Sequence, residues 1–180
     1  ALPILTKTID LPGNKGQHFF FDIGNGDSLA FFWFPDAPKA EPEIGFRMKK
    51  SLKGPVSFEV AAAAIGTVCS AIEIIDSRYQ GFKYFSLPDV IADNCSSGRY
   101  VWGEEIAFDA KLDLGKSKMK FLVNGEVAAE APGAEISGHP VNSVVQLAAL
   151  LAPYGLEIPE GALVLAGAAT PASALTPGQH

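Results

Sequence analysis

Alternating hydrophobic and polar positions along the chain predict a series of short β-strands. Residues 4–34 contain the strand-like runs ILTKTIDL, HFFFDI and SLAFFWF, separated by PGNKGQ and by a Gly-Asn-Gly-Asp turn. Glycine and asparagine are typical of tight hairpin turns because they accept positive φ angles. We therefore predict a β-hairpin segment at the start of the chain.

Beyond residue 40, strands and helices are predicted to alternate. EIGFRMKKSL, AIEIIDS and ALVLAGAAT are typical of strands, and KMKFLVNGEVAAEA predicts a hairpin around Asn124-Gly125. SFEVAAAAIGTVCSA predicts a helix with Ser57 as its N-cap, and HPVNSVVQLAALLAPYG predicts a helix that ends at Gly155. LPDVIADNCSSGRYVWG is interpreted as a short helical turn followed by a polar loop.

A proline-rich stretch and the composition set the domain organisation and exclude some functions. PDAPKAEP has three prolines in eight residues, so we place a seam there, between residues 1–38 and 39–180. The formal net charge is −6, and the sequence has no basic run with which to bind a phosphate backbone. We expect no nucleic-acid partner.

The two cysteines and the hydrophobic runs indicate a cytoplasmic protein. Cys69 and Cys95 lack the spacing of a metal site or a redox pair, which favours a reducing compartment. We find neither a secretory signal nor an apolar run near the roughly 20 residues that cross a bilayer. We therefore expect no membrane partner.

Three glutamates are the candidate chemistry. Glu41 and Glu43 are two positions apart in a predicted strand, so their side chains share one face, about 7 Å apart at the backbone. Glu73 lies among isoleucines of a later strand, where an acid needs a charged partner or a ligand. Hard oxygen donors suit Mg²⁺ or Mn²⁺. The pattern also fits an exposed strand edge neutralised by lysines, and Asp76 with Arg78 fits either a structural ion pair or a substrate contact.

Four blocks of residues resemble a known enzyme family. They are EPEIGFRMKKSLKGP, AIEIIDSRYQGFKYFSLPDVIADNCSSGRYVWG, VNGEVAAEAPGAEISGHPVNSVVQLAALLAPYG and GALVLAGAATPASALTPG. In this order they resemble the 2-keto-4-pentenoate hydratases and the 4-oxalocrotonate (2-oxo-3-hexenedioate) decarboxylases. The resemblance implies the fumarylacetoacetase-type fold: an α+β domain with a mixed sheet or β-roll and two or three helices, here preceded by the hairpin.

The resemblance also implies a metal and a reaction class. The family's divalent metal, usually Mg²⁺, would be held by Glu41, Glu43 and Glu73 and would withdraw electrons from a bound 2-oxo acid. The implied function is a lyase of aromatic meta-cleavage catabolism that decarboxylates 2-oxo-3-hexenedioate. Hydration of 2-hydroxypenta-2,4-dienoate is the alternative, and we expect a homo-oligomer.

Further candidate residues surround this predicted metal site. We assign possible catalytic roles to Lys83 and Asp93. Asp76, Arg78, Asn94, Ser96 and Thr170 are candidates for substrate binding, in competition with surface and capping roles. Gly167, Ala168 and Ala169 resemble a small-residue turn that lets the backbone approach a ligand. His139 is interpreted as part of the start of a helix.

The first 38 residues do not resemble the same family. Residues 5–38 are similar to part of a glyoxalase-type (vicinal oxygen chelate) domain, in which His18 would be a candidate ligand. The chain thus has the pattern of a fused sequence without the family's usual N-terminal region and last strand. An inactive fused fragment that acts as a binding or assembly module therefore stays open beside the lyase hypothesis.

Overall fold

The structure is a computed structural model that describes residues 4–10, 17–24, 27–33 and 39–176. The chain divides into two units, residues 1–39 with 74–99 and residues 40–73 with 100–180. Short strands with a few helices give the α+β class that the sequence predicted. Among the described residues, no helix is long and apolar enough to cross a bilayer.

The elements follow one another along the chain with short connections. Three strands come first: β1 (Ile4–Asp10), β2 (Gln17–Gly24) and β3 (Asp27–Trp33). They are followed by β4 (Lys39–Met48), β5 (Leu52–Lys53), α1 (Phe58–Ala64), β6 (Ile65–Ile75), α2 (Leu87–Ala92) and β7 (Ser97–Trp102). The remaining elements are β8 (Ile106–Ala107), β9 (Lys118–Val123), β10 (Glu126–Pro132), α3 (Val141–Leu151), β11 (Glu157–Ile158), β12 (Leu163–Ala168) and β13 (Ser173–Ala174).

The first unit begins with an antiparallel sheet in the order β1-β2-β3. The predicted hairpin thus has a third strand, which pairs along β2 from Gln17 with Trp33 to Gly24 with Asp27. The candidate ligand side chain of His18 lies outside the described part of the chain. The glyoxalase-type interpretation of this segment stays a prediction.

The largest sheet follows the order β12-β4-β6-β7, with β13 pairing to β4 and β8 to β6. Successive side chains of a strand point to opposite faces. In β4 this alternation separates apolar side chains from carboxylates. Ile44, Phe46 and Met48 are buried in the hydrophobic core, whereas Glu41 and Glu43 belong to the other face. The core also contains α1 and the buried face of α3, with Val141, Val144 and Ala148 fully buried.

Two predicted elements need correction. The predicted helix that starts at Ser57 ends at Ala64, because Ile65 takes extended backbone angles and β6 begins there. The β-branched residues Ile65, Thr67 and Val68 favour a strand, and pairing with β4 supplies the backbone hydrogen bonds. The loop predicted after Asn94 also contains a strand, β7, which pairs with β6.

Other local predictions are confirmed. The Ser57 hydroxyl caps α1 by accepting from the Val60 N–H, and Asn124 and Gly125 have φ of 55° and 83° in the β9-β10 turn. The helix α3 continues as a 3-10 turn that ends at Gly155, whose φ is 68°. His139 accepts a hydrogen bond from the Val141 N–H through Nδ1 at 3.2 Å, which fits its predicted place at the helix start.

Candidate metal site on strands β4 and β6

The structure brings Glu41, Glu43 and Glu73 together on neighbouring strands. Glu41 and Glu43 share one face of β4, and Glu73 lies on β6, the next strand in the sheet. One carboxylate oxygen from each residue lies within 4.8 Å of the other two. All three belong to the second unit. The three acids are therefore close enough to share one cation.

Glu43 is the most buried of the three. It is 3% exposed, whereas Glu41 and Glu73 are half-buried. Its Oε2 accepts a hydrogen bond of 2.8 Å from the Gly167 N–H. Gly167 has φ of 111°, a conformation that favours glycine, at an irregularity in the pairing of β12 with β4. The small-residue segment noted in the sequence thus brings its backbone onto a carboxylate of the candidate site.

The electrostatics of this cluster disfavour three negative charges without a cation. Burial raises the pKa of the Glu43 carboxyl from 4.5 to about 7, against the opposing hydrogen bond from Gly167. The charges of Glu73 and Glu41 contribute to this rise. A divalent cation between the carboxylates would remove the repulsion and return Glu43 to its ionised form.

The donor set fits a hard divalent metal. Three carboxylates supply three oxygen donors, and Mg²⁺ takes six oxygen ligands in a near-octahedral arrangement. Coordination positions therefore remain for water or for oxygens of a substrate. The same donors also suit Mn²⁺, and the described residues give no feature that would separate the two ions.

Further along the same face of β4, Arg47 and Glu105 form an ion pair that the sequence analysis missed. Arg47 Nε lies 2.9 Å from both Glu105 carboxylate oxygens, and Thr67 of β6 also donates to Glu105. The Arg47 and Thr67 donors lower the pKa of Glu105 to about 2. Strand alternation predicts that Arg47 lies on the same face of β4 as Glu43. Its partner Glu105 could not be predicted in this way, because it is 58 positions away.

Several candidate residues of the first unit form a buried network around Asp93. Asp93 is 1% exposed, and its Oδ1 lies 2.7 Å from Arg78 Nε in an ion pair. Its Oδ2 accepts hydrogen bonds from Ser77 at 2.9 Å and from the Tyr84 hydroxyl at 2.6 Å. The Tyr84 hydroxyl is also 2.5 Å from Ser96 Oγ. Tyr84 and Ser77 were not among the candidate site residues.

This network changes the local interpretation of Arg78. The sequence suggested an ion pair between Asp76 and Arg78, but the ion pair of Arg78 is with Asp93. Towards Asp76, Arg78 donates a hydrogen bond of 2.8 Å to the backbone carbonyl. Asp93 is 15 positions from Arg78 in the sequence. The two residues meet because α2 and the 3-10 turn after it return the chain to the end of β6.

The remaining candidates lie in turns. Asn94 is exposed and, like Ser96, has a positive φ, at 52° and 68° respectively, which is uncommon for residues other than glycine. Lys83 is exposed and follows a 3-10 turn. Thr170, in the second unit, is 9% exposed and follows Ala169, whose N–H donates to the Pro42 carbonyl beside the candidate metal site. The roles of these residues stay predictions.

A cavity of about 580 Å³ in the second unit has Glu43 in its lining, together with Pro42, Cys69 and Ala71, so it borders the candidate metal site. Its lining also includes Ile44, Val68 and Ile72 of the sheet, together with Phe121 and Leu122 of β9. The cavity therefore runs between the sheet and β9.

Comparison with known proteins identifies the family. Residues 22–180 match the family described as Fumarylacetoacetate (FAA) hydrolase C-terminal. The chain belongs to this FAA hydrolase family. A solved structure of 4-oxalocrotonate decarboxylase from Pseudomonas putida G7, complexed with magnesium and adipate, has 35% sequence identity and a TM-score of 0.74. The similarity covers 86% of this chain and 64% of that chain, so the fold is shared.

Two curated relatives represent the two reactions expected for this FAA hydrolase family member. The 4-oxalocrotonate decarboxylase of Pseudomonas sp. (strain CF600) is 42% identical over 144 residues, which are 79% of this chain and 54% of the relative. The 2-hydroxyhexa-2,4-dienoate hydratase of Comamonas testosteroni is 38% identical over 135 residues, or 74% of this chain and 51% of the relative. The chain spans about half the length of these relatives.

Proposed function

We propose that this chain is the metal-binding part of a Mg²⁺-dependent lyase that decarboxylates 2-oxo-3-hexenedioate (4-oxalocrotonate) in aromatic meta-cleavage catabolism. The observation that carries the proposal is the convergence of Glu41, Glu43 and Glu73 within 4.8 Å. The similarity to decarboxylases at 42% identity supports this choice of reaction. Because the chain spans about half of those relatives, the complete activity is itself part of the proposal.

The residues of the site have distinct tasks in this proposal. Glu41, Glu43 and Glu73 hold Mg²⁺, and the Gly167 N–H fixes the orientation of the Glu43 carboxylate. When bound, Mg²⁺ supplies a Lewis acid that polarises the 2-oxo group of the substrate. As the bond to the distal carboxylate breaks and CO₂ leaves, the electron pair passes into the conjugated 2-oxo acid. Lys83 and Asp93 are the proposed catalytic residues, and Asp76, Arg78, Asn94, Ser96 and Thr170 the proposed substrate contacts.

Hydration of 2-hydroxypenta-2,4-dienoate is the second candidate function. It is supported by the 38% identity to a 2-hydroxyhexa-2,4-dienoate hydratase. Both reactions would draw on the same electron withdrawal from the 2-oxo group, which a cation held by Glu41, Glu43 and Glu73 would supply. They differ in the fate of the carbon chain, because the decarboxylase releases CO₂ and the hydratase adds water across a double bond.

Titration calorimetry of the 180-residue chain with Mg²⁺ tests the metal site directly. We expect saturable binding that is lost in Glu73→Gln, which removes one charge at nearly constant volume. Glu126→Gln is the matched control, because Glu126 is an exposed glutamate of the β9-β10 hairpin. Equal heats for the wild type and Glu73→Gln would contradict the site. A parallel titration with Mn²⁺ decides which ion binds more tightly.

Turnover assays then separate the reactions. CO₂ release from 2-oxo-3-hexenedioate that is proportional to protein and abolished by EDTA supports the decarboxylase. Loss of the dienol absorbance of 2-hydroxypenta-2,4-dienoate without CO₂ release supports the hydratase. Metal binding without either reaction would support the third hypothesis, an inactive fused chain.

We also propose a homo-oligomer in the cytoplasm. The cytoplasmic location is supported by the two cysteines of the chain, which are both free. Light scattering after size-exclusion chromatography measures the oligomeric state, and a mass of 19.0 kDa would identify a monomer instead.

A further inference from the structure

We propose that Trp102 is a specificity-determining residue whose indole forms a wall beside the carboxylates and selects planar, conjugated acids over saturated acids of equal length. This inference rests on the proposed function, because it needs an acid bound at the metal site. The contacts that support it, among Gly45, Trp102 and Glu105, all lie within the second unit.

Gly45 shows where the indole lies. Glu43 and Gly45 are two positions apart on β4, so they share a face and are separated by about 7 Å along the strand. A β-carbon added to Gly45 would lie 2.6 and 2.7 Å from two carbons of the six-membered ring of Trp102. The ring therefore rests directly on the backbone next to Glu43, at a position where only glycine leaves room for it.

The indole is fixed from its other end. Its Nε1–H donates a hydrogen bond of 2.9 Å to Oε1 of Glu105. Glu105 is in turn held by Arg47, whose guanidinium carbon lies 6.0 Å from the centre of the indole ring. Since both ends of the side chain are constrained, the ring offers a preformed surface and loses little conformational entropy when a ligand packs on it.

The charges along this face also favour an apolar contact. Arg47 follows Glu43 and Gly45 on this face of β4. Its guanidinium donates two hydrogen bonds to the Glu105 carboxylate, which neutralises its charge. A ligand that extends from the carboxylates towards Gly45 therefore meets an aromatic ring instead of a free cation. Tyr100 is 56% exposed, and its ring lies 6.4 Å from that of Trp102, which widens the aromatic surface.

This surface matches one class of ligand. A conjugated carbon chain is planar and polarisable, so it can lie flat against an indole, whereas a saturated chain is puckered and pays more entropy to do so. Muconate and adipate are a matched pair of probes, because both are six-carbon dicarboxylates and they differ in conjugation. Adipate also accompanies magnesium in the solved decarboxylase from Pseudomonas putida G7.

The experiment compares the dissociation constants of muconate and adipate by calorimetry in saturating Mg²⁺. We expect the wild-type chain to prefer muconate, and Trp102→Leu to reduce this preference by about threefold to tenfold. Mg²⁺ affinity should stay unchanged. Trp102→Phe, which keeps an aromatic ring, should retain most of the preference. Gly45→Ala should also weaken it, because the added methyl group displaces the ring.

Fluorescence provides a second measurement. The sequence has two tryptophans, so Trp33→Phe leaves Trp102 as the sole indole reporter. Muconate should change its emission in the presence of Mg²⁺ and have no effect in EDTA. Glu126→Gln in the same background should behave as the parent protein.

The outcomes separate this inference from the proposed function. If Mg²⁺ binds and the muconate preference is unchanged in a folded Trp102→Leu protein, Trp102 only fills space and the inference is overturned. The same holds if muconate binds without altering Trp102 emission. If Mg²⁺ does not bind the wild-type chain, the proposed function fails first and the inference fails with it.

Discussion

Glu43 should destabilise the metal-free protein at neutral and alkaline pH, so Glu43→Gln should stabilise it. The side chain is 3% exposed, and burial with the charges of Glu73 and Glu41 raises its pKa to about 7. Glutamine has nearly the same shape, and its carbonyl oxygen can still accept the hydrogen bond from the Gly167 N–H. The substitution therefore removes a charge and keeps the local contact.

The magnitude and its pH dependence follow from linkage. Well below pH 4.5 the carboxyl is protonated in both folded and unfolded chains and has no effect on stability. As pH rises from 4.5 through about 7, the unfolded chain loses the proton first, so the free energy of unfolding falls. The full effect is at most about 3 kcal/mol, at about 1.4 kcal/mol per pKa unit. Screening by water at the half-exposed neighbours reduces the expected gain to about 1–2 kcal/mol.

Thermal unfolding in EDTA at pH 4.5 and pH 8 provides the assay. At pH 8, Glu43→Gln should unfold about 2–8 °C above the wild type, given about 2–4 °C per kcal/mol for a chain of this size. At pH 4.5 the two proteins should unfold at nearly the same temperature. Excess Mg²⁺ should reverse the order at pH 8, because the wild type binds the ion and Glu43→Gln binds it weakly.

The reasoning would be refuted by a Glu43→Gln protein that is less stable than the wild type in EDTA at pH 8. A stability difference that is equal at both pH values would also refute it, because a packing effect does not titrate. Glu126→Gln, at an exposed position, should show neither shift.

Three further predictions concern the scaffold. Asp93→Asn should lower the free energy of unfolding by about 3–5 kcal/mol in urea titrations, because Arg78 would keep a partly buried charge without its carboxylate. Gly103→Ala should cost about 1–3 kcal/mol by the same assay, because its β-carbon would lie 2.6 Å from the Ser70 carbonyl oxygen. Ser57→Ala should cost about 0.5–1 kcal/mol through loss of the α1 cap, and Ser57→Asp should restore it.

Each of these three has a contradicting outcome. A loss below 1 kcal/mol in Asp93→Asn would show that the buried network is not a structural unit. Unchanged stability of Gly103→Ala would show that the loop after β7 moves away at no cost. Failure of Ser57→Asp to exceed Ser57→Ala would remove the capping role.

The local elements could be predicted because their signals are local. Asn124-Gly125 specifies a tight turn through backbone conformation, and Gly155 ends its helix for the same reason. The shared face of Glu41 and Glu43 follows from the two-residue period of a strand. The helix expected beyond Ala64 was wrong because the β-branched residues Ile65, Thr67 and Val68 favour a strand, and pairing with β4 supplies its backbone hydrogen bonds.

The long-range partners could not be predicted in the same way. Arg78 had a plausible acid two positions away, yet its ion pair is with Asp93, 15 positions away. Arg47 and Glu105 are 58 positions apart, and the contact of Trp102 with Gly45 spans a similar distance. A single sequence contains no periodic signal for such contacts, because they depend on which strands become neighbours.

The sequence by itself determined the α+β class, the Asn124-Gly125 turn of the β9-β10 hairpin, the helix end at Gly155, and the family. Only the tertiary structure decided that Glu73 meets Glu41 and Glu43, that Gly167 binds Glu43, and that Glu43 is buried enough to raise its pKa. The physical reason is that these interactions act over different distances along the chain. Backbone preferences act over a few residues, whereas burial and charge repulsion depend on every strand packed around the group.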